Sequence, residues 1–154
     1  MKITQLVDNC RCKFSIAIEG PDATGKQTQT DLLVKHLNRS GYTSRGIEVP
    51  YDDGSTYIKI KQMLSDGSAH SYPVTIQGLF VTNRLLFQRI ELPKILKTND
   101  VVVFDRWNGS TYAYGRASGI SNDELMCSLD LIATPDITIV LSGDAYKKLD
   151  RDSF

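Results

Sequence analysis

The stretch "FSIAIEGPDATGKQTQTDLL" (14–33) constrains this chain more than any other. The apolar run "FSIAIE" stops at Gly20 and reads as a buried strand. From Gly20 to Lys26 the spacing is G-x-x-x-x-G-K. Beyond it, Leu32, Leu33, His36 and Leu37 recur at helical spacing until Gly41. A glycine-rich turn between a strand and a helix can wrap a phosphate with its backbone N–H groups, and the helix directs its positive end to the same place. Gly20 and Gly25 permit close approach, and Lys26 can reach outer phosphates. The bare spacing occurs by chance in roughly one chain in twenty-five of this length. Chance does not also supply the flanking strand and helix. One part departs from the pattern: a Ser or Thr hydroxyl usually follows the lysine and serves magnesium, and here Gln27 stands there. An amide oxygen also ligates magnesium, which keeps several waters in such sites. Thr28 is the alternative donor. The expectation is a magnesium-dependent phosphate site whose metal is held less directly.

The remainder alternates strands with helices. "YTSRGIEV" (42–49), "DVVVFDR" (100–106) and "PDITIVLSG" (135–143) read as strands. Helical patterns cover 55–67, 74–97 and 121–133, and a further helix begins in "DAYKKLDRDSF". Pro93 should divide the long one, and Ser121 with Glu124 has capping-box spacing. Such alternation implies crossovers and a mainly parallel sheet, with ligands beyond the carboxyl ends of its strands. Glu19, Pro50, Asp105 and Ser142 all fall near those ends. The 154 residues suffice for one domain, with 1–13 read as a leader and 14–154 as the domain. Formal net charge is zero, so no global field recruits nucleic acid or a membrane, and no run has membrane-spanning length. Three cysteines, Cys10, Cys12 and Cys127, form neither a disulfide framework nor a zinc pattern; unpaired thiols suit a reducing, cytoplasmic compartment, of a cell or a virus-infected host.

Three further segments, "VPYDDGSTYIKIKQML" (49–64), "LFVTNR" (79–84) and "VVVFDRWNGSTYAYG" (101–115), combine with "IEGPDATGKQTQ" (18–29). In order and spacing they resemble the thymidylate kinases, and the likeness runs from about Phe14 to the end. The resemblance implies a P-loop kinase fold: α/β, with a mainly parallel sheet flanked by helices in three α/β/α layers. It implies transfer of phosphate from ATP to dTMP, or a related deoxynucleoside monophosphate, with Mg2+. Gly20, Asp22, Ala23, Thr24, Gly25, Lys26, Gln27 and Thr28 would hold the ATP phosphates. Asp22 also resembles the carboxylate that accepts the sugar 3′-hydroxyl. Phe80 is similar to the aromatic that stacks on thymine, and Arg84 to the donor at the base edge. Asp105 resembles the carboxylate near the metal, with Gln27 beside it partly through water. Arg106 resembles the arginine on the acceptor phosphate, and Ser110 and Tyr114 match positions near base and sugar. Pro50 and Tyr51 fall in the stretch that lines the acceptor. A homodimer paired through helices is implied as well.

Residue chemistry agrees in part. Phe80 and Arg84 share a helix face, and a flat ring beside a planar fork of donors suits a pyrimidine. Arg106 can hold a phosphate bidentately. Pattern alone also allows Phe80 as ordinary core, Arg84 as a surface or salt-bridge arginine, and Asp105–Arg106 as a structural ion pair. Departures from the family are visible. An arginine often follows the second strand, where Tyr51, Asp52 and Asp53 stand here, and the Tyr51 hydroxyl is the substitute on offer. A mobile lid would begin near "YKKLDRDSF", with Lys147, Lys148 and Arg151 its basic candidates, and the final strand and helix would lie beyond Phe154. The expectation is a shortened form of a longer enzyme. Two alternatives stay open: a nucleotide-binding module with weak catalysis, and a deoxynucleoside kinase using Glu19 or Asp105 as base.

Overall fold

A computed structural model of the chain describes residues 1–143. The helix expected from Asp144 onward, with Lys147, Lys148 and Arg151, lies outside them. The elements are β1 (Phe14–Glu19), α1 (Lys26–Arg39), β2 (Ser44–Glu48), α2 (Thr56–Ser65), α3 (Ser68–Ser71), α4 (Pro73–Ile90), α5 (Leu92–Thr98), β3 (Val101–Asp105), α6 (Asn108–Ala117), α7 (Asn122–Leu129) and β4 (Ile137–Val140). The four strands are parallel in the order β2-β3-β1-β4.

Period-two alternation in the central strands builds the layers. Ile16, Ile18, Val101 and Val103 face α1 and pack against Leu33, Val34 and Leu37. Ala17, Val102 and Phe104 face the other way, onto Val81, Phe87, Leu92, Leu96, Trp107 and Leu129. Helices therefore cover both faces, and β3 is buried at every position. Parallel register brings the strand ends to one rim: Glu19 lies beside Val140, and Asp105 beside Glu48 and Ile18. The polar residues at those ends gather there.

Pro93 does divide the long helical pattern, since α4 ends at Ile90 and α5 opens at Leu92. The capping box at Ser121 also forms: the Ser121 hydroxyl accepts from the Glu124 N–H, and the Glu124 carboxylate accepts from the Ser121 N–H. Helix α6 is an addition. Its sequence, "NGSTYAYGRA", is poor in helix formers and reads as alternating aromatic and small residues. Packing overrides propensity, because a Cβ on Gly115 would stand 2.5 Å from the Leu125 side chain. Residues 1–13, read as a leader, are packed onto the domain. Ile3 is fully buried in the main core, its N–H bonds to the Thr134 carbonyl, and Leu6, Val7 and Cys10 pack beside it. Arg11 and Cys12 both donate to the Leu96 carbonyl, which ties the segment to α5. Burial pushes the Cys12 thiol up to about 11, so it behaves as a core residue. Among the described residues no helix is long and apolar enough to cross a membrane.

Replacing Ile3 by Ala should cost about 2–5 kcal/mol in urea unfolding, the range for emptying a buried isoleucine site. A loss below about 0.5 kcal/mol would show that the segment is a detachable leader.

Candidate active site

The loop after β1 adopts the conformation its glycines permit. Gly20, Ala23 and Gly25 all have positive φ, at 147°, 60° and 83°. A Cβ on Gly20 would lie 2.6 Å from the Leu141 carbonyl oxygen, so no larger residue fits there. Gly25 caps α1, whose first-turn N–H groups open toward the loop. Among the described residues no hydrogen bond engages the N–H groups of Asp22, Ala23, Thr24 or Gly25. The Thr24 hydroxyl closes the turn by donating to the Pro21 carbonyl at 2.8 Å. The Lys26 ammonium also donates to that carbonyl and is 6% exposed. Burial, and then the nearby Arg106, pull its pKa down. The result is a donor-rich cradle of open N–H groups and one ammonium, with the Asp22 carboxylate on its flank.

Across the rim, β3 ends at Asp105 and the chain turns sharply at Arg106, whose φ is +71°. Such a backbone is strained for an arginine and persists only when its surroundings fix it. They do so here: the Arg106 N–H donates to the Ile18 carbonyl at 2.9 Å. The Arg106 guanidinium pairs with Asp22, donates to the Gly20 carbonyl at 3.2 Å and to the Ser110 hydroxyl at 3.1 Å, and lies over the Tyr114 ring. The Tyr114 hydroxyl donates to Asp22 at 2.8 Å. Asp22, Arg106, Ser110 and Tyr114 thus form one cluster against the phosphate loop. Asp105 is 8% exposed, and no salt bridge reaches it from the described residues. Arg106 turns to Asp22 instead, which removes the local ion-pair reading. Burial holds the Asp105 carboxyl above the ordinary carboxylate range, despite the opposing pull of Arg106 and Lys26.

Arg84 is neither a surface nor a salt-bridge residue. It is 2% exposed and donates to the Thr111 hydroxyl at 2.7 Å, the Trp107 carbonyl at 2.8 Å and the Phe80 carbonyl at 3.2 Å. Burial lowers its pKa to about 10. Its Nε has no partner among the described residues. Phe80 is half-buried, with its ring 5.8 Å from the Arg84 guanidinium and packed against the Ile60, Met63 and Ile76 cluster. It therefore combines the core reading with a place beside Arg84. Between them in sequence, the fully buried Asn83 accepts from the Tyr51 N–H and donates to the Tyr51 carbonyl and the Thr56 hydroxyl. This clamp was not among the expected site features, although a short amide in an apolar helix face is its signal in the sequence. The clamp holds Pro50 and Tyr51 beside a cavity of about 220 Å³. The Tyr51 ring packs 4.5 Å from Phe87, against the core.

A larger cavity of about 460 Å³ runs from Asp105 and Glu48 along α1, past Gln27, Thr30 and Asp31. Gln27 is exposed and its amide donates to Asp31 at 3.3 Å. Thr28 is exposed on the same turn. Among the described residues no group of three or more His, Cys, Asp or Glu is placed to hold a metal alone. Asp105 and the Gln27 amide oxygen can supply part of a shell, and phosphate oxygens and water would complete it, as suits magnesium. His36 and His70 stand apart on a helix surface and the short α3.

A parallel sheet with a glycine-lysine phosphate loop after its first strand, faced by an Asp-Arg pair at the end of a neighbouring strand, defines a protein of the P-loop kinase fold. A family model for thymidylate kinase matches residues 18–153, and the chain belongs to that family. It is 34% identical over 148 residues to a thymidylate kinase of Neorickettsia sennetsu, covering 90% of this chain and 70% of that protein. It is 33% identical over 138 residues to one from Caldanaerobacter subterraneus subsp. tengcongensis, covering 85% of this chain and 64% of that protein. The crystal structure of thymidylate kinase from Ehrlichia chaffeensis superposes with a TM-score of 0.68 at 25% identity, over 84% of this chain and 71% of that one.

The state of Asp105 has a consequence for stability. A carboxyl held above its ordinary value loses its proton more readily when unfolded, so stability falls as pH rises through the carboxylate range. Asp105→Asn should therefore raise the Tm of the ligand-free protein at pH 7. The gain should vanish near pH 3, where the native carboxyl is already neutral; a lower Tm at pH 7 would contradict this.

Proposed function

We propose that this chain phosphorylates dTMP, or a closely related deoxynucleoside monophosphate, using ATP. The observation that carries the reading is the convergence of Lys26, Asp22, Arg106 and Tyr114 on one rim, with Phe80 and Arg84 beside it. In this reading the loop from Gly20 to Thr28 cradles the ATP phosphates. An acceptor phosphate oxygen attacks the γ-phosphorus in line, the bond to the β–γ bridging oxygen breaks, and ADP leaves. Lys26 and Arg106 neutralise the phosphates and hold them in position, so no covalent protein intermediate is needed. Asp105 and Gln27 would hold magnesium together with water, and the ion would supply further charge neutralisation. Phe80 stacks on the base, Arg84 donates to its edge, and Asp22 accepts the 3′-hydroxyl. Ser110 steers Arg106, and Pro50 and Tyr51 line the acceptor side.

In the free protein the cations already have partners: Lys26 sits on the Pro21 carbonyl and Arg106 on Asp22. Nucleotide binding exchanges those contacts for phosphate oxygens. Both oxygens of Glu19 are occupied, by the Trp107 N–H and the Ser110 hydroxyl, which speaks against its use as the base of a deoxynucleoside kinase. A weakly catalytic nucleotide-binding module is the second reading, favoured by Gln27 at the hydroxyl position. Free thiols at Cys10, Cys12 and Cys127 suit a reducing compartment, the cytoplasm in this reading. Exposed Leu86 and Ile90 on α4 suit pairing of two copies.

The direct test titrates dTMP and ATP–magnesium separately by calorimetry, then assays turnover beside thymidine. Binding of both and turnover on dTMP support the kinase; turnover only on thymidine would reject it. Binding without turnover would favour the second reading. Arg106→Ala should lower turnover by about 10³-fold, in line with arginines on transferring phosphates, and equal turnover would remove its role. Phe80→Ala should weaken dTMP binding about tenfold through lost stacking while ATP binding holds.

A further inference from the structure

Glu19 ends β1, one residue before the phosphate loop, and is 5% exposed. It makes no salt bridge among the described residues, yet both carboxylate oxygens are used. One accepts from the Trp107 N–H at 2.9 Å, the other from the Ser110 hydroxyl at 2.5 Å. A Cβ on Gly109 would come within 2.9 Å of Glu19, so glycine there makes room for the carboxylate. Glu19 therefore sits against the first turn of α6, where a negative charge faces the open N–H groups of a helix. On the other side of the same turn, Arg84 donates to the Trp107 carbonyl and the Thr111 hydroxyl. The Trp107 residue is held by a buried anion at its N–H and a buried cation at its C=O. Arg106 precedes it in a strained backbone conformation and is hydrogen-bonded to Ser110, which Glu19 also holds.

We propose that Glu19 is a positioning residue for the acceptor side of the site: its buried carboxylate fixes the Arg106–Ser110 turn and so aims the Arg106 guanidinium. This rests on the kinase reading for its consequence, but its structural half stands apart from it. Glu19 acts through Ser110 and the Trp107 N–H on Arg106. An amide at the same place preserves the geometry, since its oxygen still accepts from Trp107 and its nitrogen can donate to Ser110. A methyl does neither.

Trp107 is the only tryptophan in the chain, and it is fully buried, so its fluorescence reports on this turn without any ligand. Glu19→Ala, Glu19→Gln and the wild-type chain would be compared by acrylamide quenching, then by calorimetry with dTMP and with ATP–magnesium. Expected for Glu19→Ala are readier quenching of Trp107, dTMP affinity lowered at least about tenfold, and ATP–magnesium affinity changed less than about threefold. Glu19→Gln should stay within about threefold of wild type in all three. If Glu19→Ala fails to fold, Glu19→Asp, whose shorter arm cannot span both donors, should show the same selective loss in smaller degree. Unchanged quenching in Glu19→Ala, equal loss of both nucleotides, or unchanged dTMP affinity beside altered quenching would each overturn the proposal. A wild-type chain that does not bind dTMP would instead overturn the kinase reading, while the quenching comparison still tests whether Glu19 holds the turn.

Discussion

The grip on the Trp107 peptide is the contact on which the candidate site depends. Its N–H is taken by Glu19 from β1, its carbonyl by Arg84 from α4, and its indole N–H by the Ala133 carbonyl. Three elements far apart in sequence thereby meet at one residue, directly after Arg106. Burying a carboxylate and a guanidinium is costly unless their hydrogen bonds are met. The cost is offset in large part here, because Glu19 finds donors and Arg84 finds acceptors on the same helical turn, with only the Arg84 Nε left without a partner among the described residues. The turn cannot drift without exposing one charge to an empty, low-dielectric neighbourhood. That makes the direction of Arg106 a property of the core and not of a surface loop.

The free site is nearly neutral within itself. Lys26 and Arg106 face Asp22, Asp105 and Glu19, and the arginine already lies on Asp22. The two cations also repel, which contributes to the lowered pKa of Lys26. In the proposed reaction, phosphate groups entering the site would relieve that repulsion and draw Arg106 away from Asp22. In the proposed reaction the same carboxylate becomes free for the sugar hydroxyl only once the arginine has taken up phosphate. Donor-site and acceptor-site occupancy would then support each other through charge alone, with no need for a large rearrangement.

Much of the frame was legible in the sequence because its signals are local. The loop from Gly20 to Lys26, the run at 101–105, the break at Pro93 and the cap at Ser121 each follow from a short pattern, and each appears where expected. What escaped depends on contacts between distant segments. Helix α6 lacks helix formers because Leu125 and Glu19 crowd its glycine positions, and propensity registers only the glycines. Residues 1–13 have apolar residues at Ile3, Leu6 and Val7 but form no strand or long helix whose period would show in the sequence, yet Ile3 is fully buried and bonded to Thr134. Arg84 and Asn83 look like ordinary polar residues on a helix; their burial follows from the packing of α4 against α2 and α6. Glu19 reads in sequence as a rim carboxylate or a base and not as a positioning residue, because its two donors lie 88 and 91 residues away.

Gln27 remains the feature in which sequence and structure bear on catalysis most directly. Its side chain leans along α1 to Asp31, one turn on, and leaves its oxygen without a partner among the described residues. A hydroxyl at that position would reach the metal over a short arm, whereas an amide has two more bonds of freedom to restrain. Its hydrogen bond to Asp31 removes part of that freedom and fixes which end of the amide is available. The loop can therefore present a neutral oxygen ligand after all, at the cost of an acidic residue placed one turn along. Whether the amide is an impairment or an adaptation thus turns on Asp31 as much as on Gln27. The pair, and not the altered position alone, is the unit that distinguishes this loop from one carrying a hydroxyl.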